Sequence, residues 1–178
     1  MTKTAAEVRP APALDEPLTK HIAWILWARR NGGAHCPTCG QLCQDRPRSI
    51  TNQMARALEM MYRKGGTTRW VKRTSLLRRV GQRGGDDAKL ALWDLIEIPT
   101  ADDPSPDGKF SGWARVTDKG EQFILGDITV PRVAWVFNRE LLEFEGPDIL
   151  FADCWAEPID LQEILERHHG GGATDKVT

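Results

Sequence analysis

The residues best suited to chemistry in this chain are three closely spaced cysteines. Cys36-Pro37-Thr38-Cys39-Gly40 places two thiols two residues apart, and Cys43 follows. Thiolates at this spacing are typical ligands of structural zinc, and the glycine lets backbone amides turn toward sulfur. We therefore expect Cys36, Cys39 and Cys43 to bind zinc. A tetrahedral site needs a fourth ligand, and the alternatives are His35, His21, Cys154, His168 and His169.

Two other interpretations of the cysteines stay open. A thioredoxin-like redox pair needs its first cysteine at the start of a helix that follows a strand, whereas this pair follows Gly32-Gly33 and precedes a polar stretch. The thiols could also be reduced residues without a metal. Cys154 lies beside Phe151 and Trp155 and is expected to be a buried core thiol.

The charges are distributed unevenly along the chain. Residues 28–84 contain 13 Lys and Arg against two acids, a charge of +11, and the remaining 11 basic and 23 acidic residues give −12, so the formal net charge is −1. A basic block of this kind indicates phosphate binding, because neutralising phosphates releases condensed counterions. The alternative is a solvated face that offsets the acidic C-terminal half.

The elements around the cysteines are predicted from periodicity and caps. The first helix is expected to be capped by Asp15 and to end at Gly32-Gly33, with Leu18, Ile22, Ile25 and Leu26 on one face. It also carries Trp24 and Trp27, which could bind a partner or pack against the main domain. A second helix is predicted over residues 51–63, with Met54, Leu58 and Met61 buried.

The middle of the chain predicts two more helices, a hairpin and a short exit helix. Thr74 or Ser75 is expected to cap a helix that Gly81 ends, and the next helix opens at Asp86-Asp87. Residues 95–99 and 110–116 are predicted to be strands joined by a solvated acidic tip. Thr117 is expected to cap a helix through Leu125, which Gly120 weakens.

The predicted fold class is α+β, in five segments. Residues 1–16 form a disordered leader, 17–48 the first helix and cysteine knuckle, and 49–126 the main domain. Residues 127–169 form a β-rich extension with strands at 130–136 and 149–151, turns at 138–139 and 145–148, and a terminal helix from Asp160 to about His168. Residues 170–178 form a disordered tail.

Residues 74–121 resemble the winged helix-turn-helix domains of MarR-type bacterial regulators. Three local matches carry the resemblance: residues 76–81, residues 92–97 (Leu-Trp-Asp-Leu-Ile-Glu) and residues 116–121 (Val-Thr-Asp-Lys-Gly-Glu). In that family the third helix enters the major groove and the wing reaches the backbone or minor groove. More weakly, the cysteine segment and the Arg-rich helix after it look like parts of small uncharacterised proteins of bacteriophages and prophages.

The resemblance and the basic block together imply a set of nucleic-acid-binding residues. They are Arg69, Lys72, Arg73, Arg78, Arg79, Gln82, Arg83 and Lys89, with Lys109 and Arg115 on the wing. Asp86, Asp87 and Asp94 in the third helix are a poor match to DNA, because carboxylates near phosphates repel. We therefore expect the basic residues that precede this helix to contact phosphates and the affinity to be mostly nonspecific.

These patterns favour a non-catalytic, double-stranded DNA-binding protein, such as a transcriptional regulator. The alternative is an adaptor, for example a phage-encoded host-binding protein, that uses the winged helix as a scaffold. The sequence has no nucleophile elbow, Walker loop, dinucleotide fingerprint or metalloprotease helix. It lacks a signal peptide and a run of about 18 apolar residues, so a cytoplasmic protein without a membrane partner is expected. A homodimer is compatible with the resemblance.

Overall fold

The computed structural model describes residues 9–79 and 85–155. The predictions for Gln82, Arg83, His168, His169, the terminal helix and the C-terminal tail lie outside these residues. The α+β class is confirmed. The helices are α1 (Leu18–Arg30), α2 (Asn52–Gly65), α3 (Arg73–Arg79) and α4 (Asp118–Leu125), with 3-10 helices at Asp86–Trp93 and Phe151–Cys154. The strands are β1 (Ala34–His35), β2 (Leu42–Cys43), β3 (Arg46–Ser49), β4 (Ile96–Glu97), β5 (Arg115–Val116), β6 (Val130–Phe137) and β7 (Glu140–Ile149).

The strands form three small sheets and the chain forms two compact units. β1 pairs with β2, β4 pairs antiparallel with β5, and the third sheet has the order β3-β6-β7. Unit 1 contains Met1–Arg48 and Ala134–Phe144, and unit 2 contains Ser49–Val133 and Glu145–Thr178. The division after Arg48 falls where the cysteine segment is predicted to end. In the described part of the chain, no helix is both long and apolar enough to cross a membrane.

Unit 2 is built around α2. Thr51 caps this helix by accepting a hydrogen bond from the Met54 amide at 3.3 Å, and Gly66 follows its last residue. The predicted buried residues Met54, Leu58 and Met61 are confirmed. The rest of the core is large and apolar, with Leu90, Trp93, Leu95, Val116, Phe123 and Ile124 buried.

After α2, unit 2 contains the β4–β5 hairpin and a third extended segment that pairs with it. Ile96 pairs with Val116 and Glu97 with Arg115, which confirms the predicted hairpin. Val71 adds a bridge to Ala114, with hydrogen bonds of 2.8 and 3.0 Å between the two backbones. Only residues 115–116 of the predicted strand 110–116 are paired as strand.

α3 and the 3-10 helix after it differ from prediction. α3 begins at Arg73, so Thr74 and Ser75 lie inside the helix and the prediction that either caps it is wrong. The next helix, at Asp86–Trp93, is a 3-10 helix that buries Leu90 and Trp93. Asp94 follows the helix in a left-handed conformation, with φ 58°, and its amide donates to the Ala91 and Leu90 carbonyls.

α4 shows why the chain has a glycine at position 120. Thr117 caps the helix by accepting a hydrogen bond from the Gly120 amide at 2.9 Å, as predicted. A Cβ on Gly120 would clash with the Leu95 carbonyl and lie 2.8 Å from a Val116 methyl. The glycine predicted to weaken this helix therefore permits its close approach to the hairpin.

In unit 1, α1 buries a face adjacent to the predicted apolar stripe. His21, Trp24 and Ala28 are buried, whereas three of the four stripe residues are exposed, Leu18 by 72%, Ile22 by 49% and Leu26 by 48%, and Ile25 packs partly buried against the core. The residue before α1 is Pro17, with no side-chain cap, so the predicted Asp15 cap is wrong. Part of the predicted leader contacts the helix, since Trp24 Nε1 donates to the Arg9 carbonyl at 3.3 Å.

β6 and β7 form a hairpin and run through both units. The predicted turn at Asn138-Arg139 is confirmed, and both residues have positive φ (49° and 71°), as a tight two-residue hairpin turn requires. The predicted turn at 145–148 is wrong, because β7 continues to Ile149. The predicted strand at 149–151 is also wrong, because Phe151 begins a 3-10 helix.

Candidate nucleic-acid interface and cysteine hairpin

The basic segment of unit 2 lies between the middle of α2 and the 3-10 helix at Asp86–Trp93. From residue 60 to residue 85 the chain has no Asp or Glu. It has eight cations there: Arg63, Lys64, Arg69, Lys72, Arg73, Arg78, Arg79 and Arg83. Any phosphate near this segment would meet cations without a neighbouring carboxylate from the same stretch.

Several of the predicted phosphate-binding cations are engaged inside the protein. Arg73 Nη1 donates to Asp87 Oδ2 at 2.5 Å, and the Asp87 side chain is only 4% exposed. Lys89 pairs with Asp86 within the 3-10 helix. The two acids that open this helix therefore each have a cationic partner in unit 2.

Arg115 is the most heavily engaged of the predicted residues. Its Nη2 atom lies 2.5 Å from Glu97 Oε2 and 2.7 Å from Asp103 Oδ2. Its guanidinium carbon lies 4.5 Å from the centre of the Trp70 ring. The hydrogen bond to Glu97, and that to Asp103, raise the pKa of Arg115 above its usual value. This side chain stabilises the hairpin and has little capacity left for a phosphate.

The acidic loop between β4 and β5 is organised by hydrogen bonds. The buried Ser105 hydroxyl lies 3.0 Å from Asp107 Oδ1 and 2.6 Å from the Lys109 carbonyl. Lys72 Nζ lies 3.5 Å from Asp107 and 5.5 Å from the Trp113 ring centre. Burial alone would raise the pKa of Asp107, but the Lys109 amide and the Ser105 hydroxyl hold it below its usual value. The loop tip is exposed as predicted at every residue except Ser105, and these hydrogen bonds fix its conformation.

Four cations with described side chains, three in this segment and one in the acidic loop, are available to a ligand. Lys64, Arg69, Arg78 and Lys109 are exposed, and none has an acidic partner among the ion pairs of residues 9–79 and 85–155. The Arg69 amide donates to the Gly65 carbonyl at 3.2 Å, which folds the loop back on the end of α2. Arg79 is the last residue of α3. The structure thus divides the predicted set into engaged and exposed cations, a division that sequence spacing alone could not reveal.

The cysteines of unit 1 lie on a short hairpin. Ala34 pairs with Cys43 and His35 with Leu42, and the Cys36 amide donates to the Gln41 carbonyl at 2.7 Å. Side chains alternate along a strand, so residues 34, 36 and 43 share one face of this hairpin. The turn closes with a 2.8 Å hydrogen bond from the Gly40 amide to the Cys36 carbonyl, and Gly40 has φ 72°.

The three thiols of this hairpin lie close together. The Cys36 sulfur accepts hydrogen bonds from the backbone amides of Cys39 and Thr38 and contacts the Cys39 thiol. The Cys43 thiol donates to the Gln41 carbonyl at 3.7 Å and lies close enough to Cys36 for the two to interact. The two amides, led by that of Cys39, lower the pKa of Cys36, whereas burial raises that of Cys43. The predicted turn of backbone amides toward sulfur is present, and all three cysteines are free thiols.

The residues predicted as a fourth ligand have other partners where they are described. His35 Nδ1 lies 2.9 Å from the Gly40 carbonyl, and His21 Nε2 lies 3.1 Å from the Ala13 carbonyl. Cys154 belongs to unit 2, where it is buried as predicted and burial raises its pKa to about 11. Among residues 9–79 and 85–155, no group of three or more His, Cys, Asp or Glu side chains is already arranged around a metal position.

The cysteine hairpin is attached to α1 by contacts that sequence inspection missed. Arg29 Nε donates to Asp45 Oδ1 at 2.7 Å, and the Arg29 guanidinium carbon lies 4.0 Å from the Phe137 ring centre. Gln44 Nε2 donates to the Gly32 carbonyl at 3.0 Å. The opposite charges of Arg29 and Asp45 are visible in the sequence, but their pairing across sixteen residues is not.

Comparison with protein-family models, with curated proteins and with solved structures finds no match for this chain.

Proposed function

We propose that residues 49–126 form a winged-helix domain that binds double-stranded DNA through its phosphates. The order of elements supports this proposal: α2, the bridging residue Val71, α3, the 3-10 helix, and the β4–β5 hairpin as the wing. Val71, between α2 and α3, forms a bridge with Ala114, so this segment joins the end of the proposed wing. The resemblance to MarR-type regulators supports the same assignment.

The observation that carries the DNA proposal is the separation of exposed cations from acids. Lys64, Arg69 and Arg78 are exposed on a stretch without carboxylates. The acids of the following helix are paired with Arg73 and Lys89, so they repel phosphates less than their number in the sequence suggests. Phosphate contacts of this kind supply affinity without base recognition.

The proposed contact set differs from the one that the sequence predicts. Arg69, Arg78 and Lys109 keep their predicted role, the exposed Lys64 is added, and Arg79, Gln82 and Arg83 remain predictions. Lys72 is left out because it pairs with Asp107 at 3.5 Å. Arg73 is excluded, because taking it from Asp87 would leave a buried carboxylate without its cation. Arg115 is excluded by its two carboxylate partners. Lys89 lies beside Asp86, which reduces its attraction for a phosphate.

Fluorescence anisotropy of labelled duplex DNA over a series of salt concentrations tests this proposal. We expect the logarithm of the affinity to fall linearly with the logarithm of salt concentration. The variant Arg69→Gln/Arg78→Gln should bind more weakly on every sequence, with a salt slope smaller by about 2, close to one for each lost phosphate contact.

The matched control removes two exposed cations from elsewhere in unit 2. Lys119→Gln/Arg132→Gln has the same change in net charge, and both residues lie outside the basic segment. This control should keep a salt slope close to that of the wild-type protein. Absence of binding at low salt, or equal losses in the two double variants, would reject the proposed interface.

A second candidate function, an adaptor that binds a protein, is favoured by the exposed stripe on α1. Leu18, Ile22 and Leu26 are each at least 48% exposed on one side of this helix. Association through such a stripe would respond little to salt and would be lost in Leu18→Glu/Ile22→Glu. Arg69→Gln/Arg78→Gln would leave it unchanged, so the two candidate functions separate in one set of variants.

A further inference from the structure

We infer that the β1–β2 hairpin of unit 1 is a zinc site in which Cys36, Cys39 and Cys43 provide three thiolate ligands and solvent provides the fourth. This site is independent of the proposed DNA interface, whose residues all belong to unit 2. Three observations support the inference. They are the positions of the cysteines on the hairpin, the backbone hydrogen bonds of its turn, and the composition of the core around it.

The hairpin register brings the first and third cysteines to the same face. Cys43 lies opposite Ala34, and the Cys36 amide bonds to the Gln41 carbonyl, so Cys36 and Cys43 are diagonal neighbours. Diagonal side chains on one face of a hairpin are within reach of a shared ligand. Cys39 lies in the connecting turn, and its thiol contacts that of Cys36. Cys36 is therefore the central sulfur of the three.

The turn also provides the hydrogen bonds that a thiolate requires. The Gly40 amide closes the turn on the Cys36 carbonyl at 2.8 Å, which keeps the Thr38 and Cys39 amides within hydrogen-bonding reach of the Cys36 sulfur. Gly40, with φ 72°, then reverses the chain into β2. Donors directed at sulfur compensate its negative charge once the proton has left, as in structural zinc sites with this cysteine spacing.

In this structure the thiols contact one another instead of surrounding a common centre. Cys39 is exposed, whereas Cys36 and Cys43 are buried. Because Cys39 is exposed, its side chain can turn toward a metal without disturbing the core, and each Zn–S bond would be about 2.3 Å long. Binding releases protons from the thiols as the three Zn–S bonds form. His35 Nδ1 is already engaged with the Gly40 carbonyl at 2.9 Å, so the site we infer takes water in its fourth position.

The core of unit 1 gives the metal a structural role. Among the described residues its buried cluster contains Trp24, Ala28, Cys36 and Cys43, two of them thiols, and the partly buried Ile25, Trp27, Ala34 and Phe137 pack against it. A core this small buries little apolar surface, and small units of this kind are commonly completed by a metal or a disulfide. Zinc would join the turn to β2 and fix the hairpin beneath α1. The free energy of zinc binding then contributes to folding of the unit.

The experiment is a zinc and cobalt titration of the full chain, purified under reducing conditions and stripped of metal. We expect one zinc per chain by elemental analysis and, with Co²⁺, a strong thiolate-to-metal charge-transfer band with a tetrahedral visible spectrum. Cys39→Ser should weaken zinc binding by more than about 100-fold, beyond the 10–100-fold typical for loss of a group that only supports a ligand. Because Cys39 is exposed, this variant should still fold.

Cys154→Ser is the matched control, since it removes the fourth cysteine from the core of unit 2. It should keep both the zinc stoichiometry and the cobalt spectrum. Cys43→Ser should lose both, and circular dichroism of this variant separates loss of a ligand from loss of fold. No bound zinc, unchanged binding in Cys39→Ser, or a Cys36–Cys39 disulfide that persists in reductant and excludes the metal would overturn the inference.

Discussion

The cores of the two units differ in what holds them together. Unit 2 buries large apolar side chains from several elements, among them Leu58, Trp93 and Phe123, each 0% exposed. In the described part of unit 1 the buried cluster has four residues, two of them thiols, and four partly buried apolar side chains pack against it. Burial of a large apolar side chain contributes about 1.5–3 kcal/mol, so unit 2 has more apolar stabilisation than unit 1.

The composition of each core determines where that unit is sensitive to change. In a core that buries many apolar side chains, the substitutions that lower stability most are those at a buried charge or at a close contact between two backbone segments. A core with few apolar residues depends on chemistry that links its segments, which for unit 1 means the thiols and the proposed metal. Cysteine therefore has two different roles in this protein. Cys154 packs in the core of unit 2, whereas Cys36 and Cys43 are candidate metal ligands in unit 1.

The largest effect in unit 2 is expected from breaking the Arg73–Asp87 pair. Arg73→Met should lower the free energy of unfolding by about 3–5 kcal/mol, because it leaves the Asp87 carboxylate buried without its cation. Asp87 is 4% exposed and lies 2.5 Å from the arginine. Urea denaturation measures the change.

Two controls define the cause of this loss. Lys89→Met removes the cation of the more exposed Lys89–Asp86 pair and should cost no more than about 1 kcal/mol. Arg73→Met/Asp87→Leu removes both charges and should regain most of the stability lost in the single variant. Equal losses in Arg73→Met and Lys89→Met would contradict the buried-pair explanation.

The sequence predicts the elements of unit 2 better than its side-chain pairings. Thr51 and Thr117 mark helix starts because a cap is a local interaction between residues three apart. The contacts of Arg73 with Asp87 and of Tyr62 with Glu121 join residues 14 and 59 positions apart. No periodicity encodes such contacts, so the predicted phosphate-binding set mixes engaged and exposed cations.

α1 shows a different limit of prediction from sequence. Apolar residues occupy more than one face of this helix, which carries Ile22 and Leu26 as well as Trp24. Periodicity identifies an apolar stripe but cannot decide which face is buried. The structure buries the Trp24 side because the cysteine hairpin packs there. The cysteine spacing, by contrast, predicts the local turn correctly because its amide-to-sulfur hydrogen bonds join neighbours in sequence.

A smaller effect is expected from Gly120→Ala, which tests how closely α4 packs on the hairpin. The added methyl would meet the Leu95 carbonyl and lie 2.8 Å from a Val116 methyl. A backbone carbonyl cannot rotate away as a side chain can, so we expect a loss of about 1–3 kcal/mol in the free energy of unfolding. Thermal and urea denaturation measure it.

Gly85→Ala is the matched glycine control. A Cβ at Gly85 meets nothing within 4 Å, and its φ is −106°, so this variant should be close to wild type. The helix propensity of alanine exceeds that of glycine by about 1 kcal/mol, so Gly120→Ala would stabilise α4 if packing were loose. A stabilised Gly120→Ala protein would therefore contradict the close packing of unit 2.

The smallest effect at neutral pH is expected from Tyr62, whose hydroxyl donates to Glu121 Oε1 at 2.6 Å. Tyr62→Phe should cost about 1 kcal/mol, the net value of a typical hydrogen bond. Burial, and then the bond to Glu121, raises the pKa of Tyr62 from 10.0 to about 12. Because the folded protein holds this proton more tightly, the associated stability is present below pH 10 and is lost as the pH rises to about 12.

Tyr62 is the single tyrosine of the chain, so phenolate absorbance reports its ionisation directly. We expect a midpoint near pH 12 in the folded protein and near 10 in urea. Tyr62→Phe should remove this component of the alkaline stability loss, while lysine ionisation remains as a shared background. A phenolate titration midpoint near pH 10 in the folded protein would mean that the Tyr62 hydroxyl is solvated. The contact between α2 and α4 would then be less tightly packed than the rest of the unit 2 core.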